Sequence, residues 1–180
     1  MFIRNLKKES VNFSFGNFCA GKNRGMERWR DGDRVPVHYN AVATGDYLIH
    51  ELSQTDPVIL QNCHYLKKIP VKQAFTRSHL LHLRGNHFLT SDKGIEKALQ
   101  ERGLDALYVS PGSIVLPGHA NGGIGGCCGI CGDRVFFNGA LRFHPEGEVI
   151  RNLLNRLGFR IVELTEGPLT DTGSFLFLST

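Results

Sequence analysis

The pattern of apolar and polar positions predicts short strands and helices that alternate along the chain from about Val37 onward. Two apolar runs bent at Thr44, Gly45 and Asp46 predict a first pair of strands. Further predicted strands cover residues 69–75, 79–83, 87–90, 104–109, 134–138, 159–164 and 174–178, and predicted helices cover residues 57–66, 94–102 and 146–157. This alternation predicts an α/β fold.

Start and stop signals support the three predicted helices. Pro57 lies in a first turn, where its missing N–H costs little. Ser91 or Asp92 is placed to cap the second helix, and Gly103 and Gly158 follow the second and third helices as stop residues. Strands and helices therefore follow one another with short connections.

A strand–helix–strand unit recurs along the sequence. Seven positions match at a constant spacing of 55 residues: Ile95, Leu99, Gly103, Leu104, Leu107, Val109 and Gly112 correspond to Ile150, Leu154, Gly158, Phe159, Val162, Leu164 and Gly167. The helix from Pro57 is an earlier, looser copy, with Ile59 and Cys63 in the places of Ile95 and Leu99. A repeated unit of this kind predicts a repeat architecture in which each unit buries its apolar face against its neighbours.

A glycine-rich stretch interrupts this pattern and is the main site candidate in the sequence. Seven glycines lie between Gly118 and Gly132, together with three of the five cysteines. Such a cluster indicates tight bends or close approach of the backbone to another group. The stretch lacks the G-x-G-x-x-G and Gly-Lys-Ser/Thr patterns of nucleotide-binding loops, which excludes those functions.

Charge divides the 180-residue chain into two parts. Residues 1–34 hold eight Lys/Arg and four Asp/Glu and so account for the whole net charge of +4. We therefore predict a basic N-terminal segment at 1–36 and a repeat domain at 37–180. A basic arm can bind nucleic acid, but the balanced body disfavours nucleic acid as the main partner. No secretory signal or membrane span is recognisable, so we expect a cytoplasmic protein with reduced thiols.

Several motifs resemble one family. They are TDPVIL at 55–60, TSDKGIEKAL at 90–99, VSPGSIVLPG at 109–118, IGGCCGI at 124–130, FFNGALRFHPEGEVI at 136–150 and GPLTDTGS at 167–174. These stretches resemble an uncharacterised bacterial family assigned to the fold of the guanidino-group-modifying enzymes, or penteins. The resemblance implies an α/β-propeller of five ββαβ units. About three units can be counted here, so we expect an incomplete ring that a second copy of the chain can complete.

The resemblance also suggests catalytic residues. By the repeat, Cys127 falls opposite Ser174, where penteins carry their nucleophilic cysteine, and His119 on the adjoining loop is the candidate base. The C-terminal segment GSFLFLST has no cysteine, which favours a binding protein over a hydrolase. Three other interpretations of the clustered cysteines stay open: buried packing thiols, a redox pair at Cys128 and Cys131, and a zinc site that includes His119.

Five polar residues are the candidate ligand-binding set: Asn40, Asp92, Asn121, His144 and Asp171. In the pentein arrangement, Asp171 faces the central channel, where a carboxylate can bind a guanidinium or an amine. Structural roles compete with this one, since Asp92 can be a helix cap, Asp171 a turn residue and His144 a loop residue.

Three functions therefore remain open from the sequence. The first is binding of a small cationic or amino-acid-like ligand without hydrolysis. The second is a thiol hydrolase or transferase of guanidino compounds that uses Cys127 and His119. The third is an interaction module based on the basic N-terminus. None of them calls for a cofactor or a metal.

Overall fold

The folded core consists of three small sheets. The computed structural model describes residues 37–175 and residue 177. In this part of the chain each sheet contains three strands. The strands are β1 (Val42–Ala43), β2 (Tyr47–His50), β3 (Lys67–Pro70), β4 (Leu80–His82), β5 (His87–Thr90), β6 (Asp105–Tyr108), β7 (Cys128–Cys131), β8 (Arg134–Phe137) and β9 (Arg160–Glu163).

All three sheets share one pairing scheme. In each, the first strand is antiparallel to the second, and the second is parallel to the third. A parallel pair needs a crossover connection, which is usually a helix. The helices are α1 (Pro57–Asn62), α2 (Thr76–His79), α3 (Lys93–Gln100) and α4 (Gly147–Arg156). Helices α1, α3 and α4 each connect the second strand of a sheet to the third.

Local sequence signals fix the helix ends. The Asp92 carboxylate accepts a hydrogen bond from the N–H of Ile95 (2.9 Å) and so caps α3. Gly103 and Gly158 follow α3 and α4 with φ of 71° and 73°, a conformation that glycine adopts without steric cost. The structure therefore confirms the predicted cap and both predicted stops.

Helices α3 and α4 each pack between two sheets. Ile95 and Leu99 of α3 are fully buried in a cluster that contains Ile69 of the first sheet and Phe88 of the second. The second cluster contains Ile150 and Leu154 of α4, with Leu89 of the second sheet and Val135 of the third. Each of these helices thus buries apolar surface against its own sheet and the preceding sheet.

Two predicted elements, the helix at 57–66 and the strand at 69–75, are shorter in the structure. Helix α1 ends at Asn62 rather than at residue 66, and the Lys68 ammonium donates hydrogen bonds to the carbonyls of Cys63 and Leu66 in the turn that follows. The strand predicted at 69–75 is instead β3, which starts at Lys67 and ends at Pro70.

A short helix replaces the end of that predicted strand. Gln73 accepts hydrogen bonds from the N–H of Phe75 (3.0 Å) and from the Thr76 hydroxyl (2.5 Å), which turns the chain into α2. The sequence did not predict α2, because its four residues are too few to show a helical period.

The predicted C-terminal strand is not formed at Ser174, Phe175 or Phe177. The rest of that strand and the basic segment at 1–36 lie outside the described residues. Within the described ranges, no helix is both long enough and apolar enough to cross a membrane.

Candidate functional site

The glycine-rich loop passes directly beneath α2. A Cβ atom added at Gly123 would lie 2.1 Å from the carbonyl oxygen of Ser78, and one at Gly125 would lie 2.1 Å from the carbonyl oxygen of Arg77. Any larger residue at these positions would collide with backbone atoms that cannot move cheaply. The glycines are therefore required by close backbone approach.

Asp171 is the polar anchor of this loop. Its side chain is 6% exposed, and its carboxylate accepts hydrogen bonds from the N–H of Gly123 (2.8 Å) and the N–H of Gly173 (2.9 Å). A Cβ atom at Gly126 would lie 2.0 Å from the same carboxylate. The loop thus encloses Asp171, whose oxygens bind the protein's own backbone.

Cys127 is not placed as an activated thiol. It is fully buried, and its Sγ donates a hydrogen bond to the carbonyl oxygen of Ile124 (3.2 Å). A hydrogen bond with the Cys128 side chain, together with burial, raises the pKa of Cys127 well above its usual value. Because the thiolate is the nucleophile, these surroundings disfavour reaction at Cys127. His119 is exposed, and no hydrogen bond joins it to Cys127 in the described part of the chain.

Asn40 and Asp92 both hold structural elements in place. The side-chain oxygen of Asn40 accepts a hydrogen bond from the N–H of Ser78 (3.1 Å), and its carbonyl oxygen accepts one from the N–H of Arg77 (2.9 Å). Asn40 therefore fixes the position of α2. Asp92, besides capping α3, accepts a hydrogen bond from the Gln73 side chain (3.3 Å).

His144 and Asn121 lie in different surroundings. The His144 side chain is buried, and its Nε2 donates to the carbonyl oxygen of Ser110 (2.9 Å) while its Nδ1 accepts from the N–H of Glu146 (3.2 Å). His144 thereby ties the turn before α4 to the turn after β6. Asn121 is exposed on the glycine-rich loop. The five candidate ligand residues do not converge on one cavity.

The three clustered cysteines lie in different environments. Cys127 and Cys128 are buried, whereas Cys131 at the end of β7 is exposed, and all three are free thiols. Among residues 37–175 and 177, no three His, Cys, Asp or Glu side chains are grouped so that they could hold a metal ion.

A cavity of about 90 Å³ lies where the antiparallel edge strands of the three sheets converge. Its walls come from the β1 region (Ala41–Ala43), from β4 (Leu80–His82), from β7 (Cys128–Ile130) and from Arg77, Gly125, Phe175 and Phe177. This convergence makes the cavity a junction between all three sheets. Two basic residues, Arg77 and His82, are among the described residues that line it, and Arg77 is the one that is always charged.

Arg77 is the functional candidate that sequence reasoning missed. Its guanidinium forms no hydrogen bond or ion pair with the described residues. Burial lowers the pKa of Arg77, and the neighbouring Cys128 acts in the opposite direction. Arginine nevertheless remains protonated in proteins. Arg77 therefore contributes a permanent, partly desolvated positive charge to the lining of the cavity. No sequence motif marks this residue, since a single arginine in a loop-rich segment is ordinary.

The comparisons with known proteins bear mainly on the family. No curated protein matches the sequence. Among solved structures, the chain is similar to a cysteine-to-serine mutant of DDAH from Pseudomonas aeruginosa, complexed with citrulline, at 19% identity. The match covers 69% of this chain but 46% of that chain, with a TM-score of 0.44, so it does not establish a common fold.

The family itself is shown by a longer match. The model of DUF6873, described as a family of unknown function, matches residues 25–176 and so covers most of the chain. The chain belongs to the family of unknown function DUF6873.

Proposed function

We propose that this protein binds a small amino-acid-like molecule by its carboxylate, and that it does so without hydrolysis by Cys127. The observation that carries the proposal is that Arg77 lines the cavity between the three sheets while its guanidinium has no hydrogen bond or ion pair with the described residues. The residue is only partly buried, so its guanidinium is accessible, and an anionic ligand can form charge-assisted hydrogen bonds with it.

The chemistry of the cavity favours a carboxylate. A guanidinium presents two parallel N–H donors to a carboxylate and so fixes its orientation. The remaining walls are largely apolar, with Leu80 and Phe175 among them. A volume of about 90 Å³ is well below the roughly 300–1,000 Å³ of drug-sized sites. The ligand is therefore small.

The position of Asp171 argues against a purely cationic ligand, which the sequence had left open. Its carboxylate already accepts two backbone hydrogen bonds, and Gly126 packs against it. A ligand that enters the cavity meets the positive charge of Arg77 instead. This supports an amino-acid-like ligand recognised at its carboxylate over a purely cationic one.

The hydrolase hypothesis stays a prediction, and the geometry lends it no support. Cys127 has a raised pKa and no adjacent base among the described residues. The cysteine that lines the cavity is Cys128, which is 2% exposed and whose Sγ donates to the Ile124 carbonyl (2.9 Å). The interaction-module hypothesis concerns residues 1–36, which lie outside the described part of the chain.

We further propose that the three sheets are successive ββαβ units of a pentein-like propeller. Their common pairing scheme supports this, as does the convergence of β1, β4 and β7 on one cavity. An experimental structure in which one rotation axis relates the three sheets would support the proposal. Sheets related by unequal rotations about different axes would contradict it.

Thermal unfolding with paired ligands tests the binding proposal. Acetate is compared with acetamide and L-alanine with L-alaninamide, at constant ionic strength because added salt screens charges. A ligand that binds only the folded state raises the midpoint of unfolding. We expect at least one carboxylate to raise it more than the amide, with the difference lost in Arg77→Met and partly kept in Arg77→Lys. Equal effects of carboxylates and amides on the wild-type protein would overturn the proposal.

A further inference from the structure

A groove of about 440 Å³ lies between α4 and the second sheet and shares no lining residue with the cavity at Arg77. Small-molecule sites generally have volumes of roughly 300–1,000 Å³, so this groove is large enough for one. One wall is the start of β5 and β6, and the other is one face of α4. The residues that line it are 87–88 and 105–107 on the sheet and Val149, Asn152, Leu153 and Arg156 on the helix. We call this site the α4 groove.

The α4 groove combines an apolar floor with a polar rim. Phe88 and Leu153 are 1% and 7% exposed and form part of the floor. The side chain of His87 is 34% exposed, and Asn152 and Arg156 are exposed. A mostly apolar site with a few polar groups at its edge suits a small molecule that has one polar end.

The equivalent contact one unit earlier is packed differently. In the pairing registers, Tyr47 of the first sheet holds the place of His87. The constant spacing of 55 residues puts Ala98 of α3 in the place of Leu153. Tyr47 and Ala98 both pack against the core cluster between the first two sheets. Because an imidazole is smaller than a phenol ring, His87 leaves space that Tyr47 fills.

The charges on the two helices also differ. Helix α3 pairs its own exposed charges, with the Lys97 ammonium 3.9 Å from the Glu101 carboxylate. At the same spacing of 55 residues, α4 has Asn152 and Arg156, which lie on one face because they are four residues apart. Neither side chain forms a hydrogen bond or ion pair with the described residues. Both are therefore free to bind a ligand in the groove.

His87 and Asp105 complete the rim from the sheet side. The Oδ2 of Asp105 lies 2.7 Å from the Nδ1 of His87, which orients the ring and leaves Nε2 without a partner among the described residues. Nε2 can accept or donate a hydrogen bond, depending on the protonation of the ring. Asp105 is the acidic residue that lines the groove, and His87 already engages it. The free charge at the rim is therefore the guanidinium of Arg156.

We propose that the α4 groove binds a small organic anion, a carboxylate or phosphate head group on an apolar body. The head group lies at Arg156 and Asn152, where the guanidinium forms paired, charge-assisted hydrogen bonds with its oxygens. The apolar body lies over Leu107 and Leu153, and its removal from water adds to the binding free energy. This site is additional to the cavity at Arg77 and does not depend on it.

Isothermal titration calorimetry of the full 180-residue chain with two matched pairs of probes tests this proposal. Benzoate is compared with benzamide and phenyl phosphate with phenol, at constant ionic strength because added salt screens charges. We expect at least one anion to bind at least about tenfold more tightly than its neutral counterpart. The pair that shows the difference identifies the head group. Equal affinities within both pairs would overturn the proposal.

Three variants place the binding in the α4 groove. Arg156→Gln should abolish the preference for the anion, whereas Arg102→Gln is the matched control, because Arg102 is exposed and lies outside the groove. His87→Tyr introduces the residue of the first contact and should weaken binding of the anion and of its neutral counterpart alike, because the larger ring fills the groove. A preference that survives Arg156→Gln would overturn the proposal. A preference that is lost in Arg77→Met instead would also overturn it, since the anion would then bind in the cavity.

Discussion

Asp171 and Arg77 are two charged residues on neighbouring segments, and the structure treats them in opposite ways. Asp171 is 6% exposed and accepts hydrogen bonds from Gly123 and Gly173. Arg77 lines a cavity, and its guanidinium has no hydrogen bond or ion pair with any described residue. The first charge is neutralised by the protein's own backbone dipoles, whereas the second is left for another partner.

This difference separates a structural polar group from a binding group. Buried polar atoms are normally satisfied within the protein, and among the described residues every fully buried side-chain nitrogen and oxygen has a hydrogen-bond partner, so the guanidinium of Arg77 stays accessible. The glycine-rich loop attracts attention in the sequence, yet its glycines serve close packing around Asp171 and beneath α2. The cavity at Arg77 is the better candidate for function.

The largest expected effect concerns the enclosure of Asp171. In Gly126→Ala, the new Cβ would lie 2.0 Å from the Asp171 carboxylate, so the loop must shift. We expect a loss of about 3 kcal/mol in the free energy of unfolding, measured with urea. The control is Gly45→Ala, since Gly45 has no atom within 4 Å of its Cβ position. Equal stability of the two variants would contradict the described packing.

Removal of the Asp171 carboxylate should have the next largest effect. Asp171→Ala leaves the N–H groups of Gly123 and Gly173 without their acceptor, which we expect to cost about 2 kcal/mol of unfolding free energy. Asp171→Asn keeps one acceptor oxygen and should cost less. Unchanged stability in Asp171→Ala would mean that the carboxylate is free to bind a ligand, and the comparison with Arg77 would fail.

We expect acid pH to lower the free energy of unfolding, because three partly or fully buried histidines, His50, His79 and His82, must then take up protons. Burial lowers the pKa of His79, an effect that Asp92 and Asp171 partly offset, and burial also lowers the pKa of His50 and His82. The unfolded chain therefore binds more protons below the ordinary histidine value of 6.5. The contribution of these three neutral histidines to the free energy of unfolding is fully present above pH 6.5. It is lost as the pH falls from 6.5 through their lower folded-state pKa values.

This effect can be measured as the free energy of unfolding between roughly pH 7.5 and pH 5, the range in which histidine titrates. His79→Gln should flatten the slope because one of the three groups is removed. A slope of the opposite sign would show that His79 is stabilised in its charged form by Asp171, so that Asp171 would have an electrostatic role beyond its two hydrogen bonds.

The smallest stability change is expected at Arg77. Arg77→Met keeps a long side chain and removes a charge that lacks a partner among the described residues, so we expect a change within about 1 kcal/mol or a slight gain in stability. The variant should be measured beside Asp171→Ala under the same conditions. A loss as large as that of Asp171→Ala would show that Arg77 serves a structural ion pair.

The sequence predicted the regular elements well where signals were local. Strand β5 at His87–Thr90 has the predicted bounds, and Asp92, Gly103 and Gly158 act as the predicted cap and stops. These signals depend on residues within a few positions of one another. Helix α1 was predicted too long, because Leu66 keeps the apolar spacing although it belongs to a turn.

The site was predicted less well because it depends on contacts between distant segments. Nothing near Arg77 reveals that α2 is held by Asn40 or that β1 and β7 meet beside it. The sequence did indicate that the glycines allow close backbone approach. It could not show whether the Asp171 carboxylate would meet a ligand or the N–H groups of Gly123 and Gly173.

The most direct test of the account compares the alkylation of Cys128 by iodoacetate and by iodoacetamide. Cys128 lines the cavity beside Arg77, whereas Cys131 in the same strand is exposed and serves as an internal reference. Mass spectrometry gives the ratio of the two rates at each thiol. If Arg77 forms an anion site, the ratio favours iodoacetate severalfold more at Cys128 than at Cys131, and Arg77→Met abolishes the difference. Equal ratios at the two thiols of the wild-type protein would contradict an anion site in this cavity.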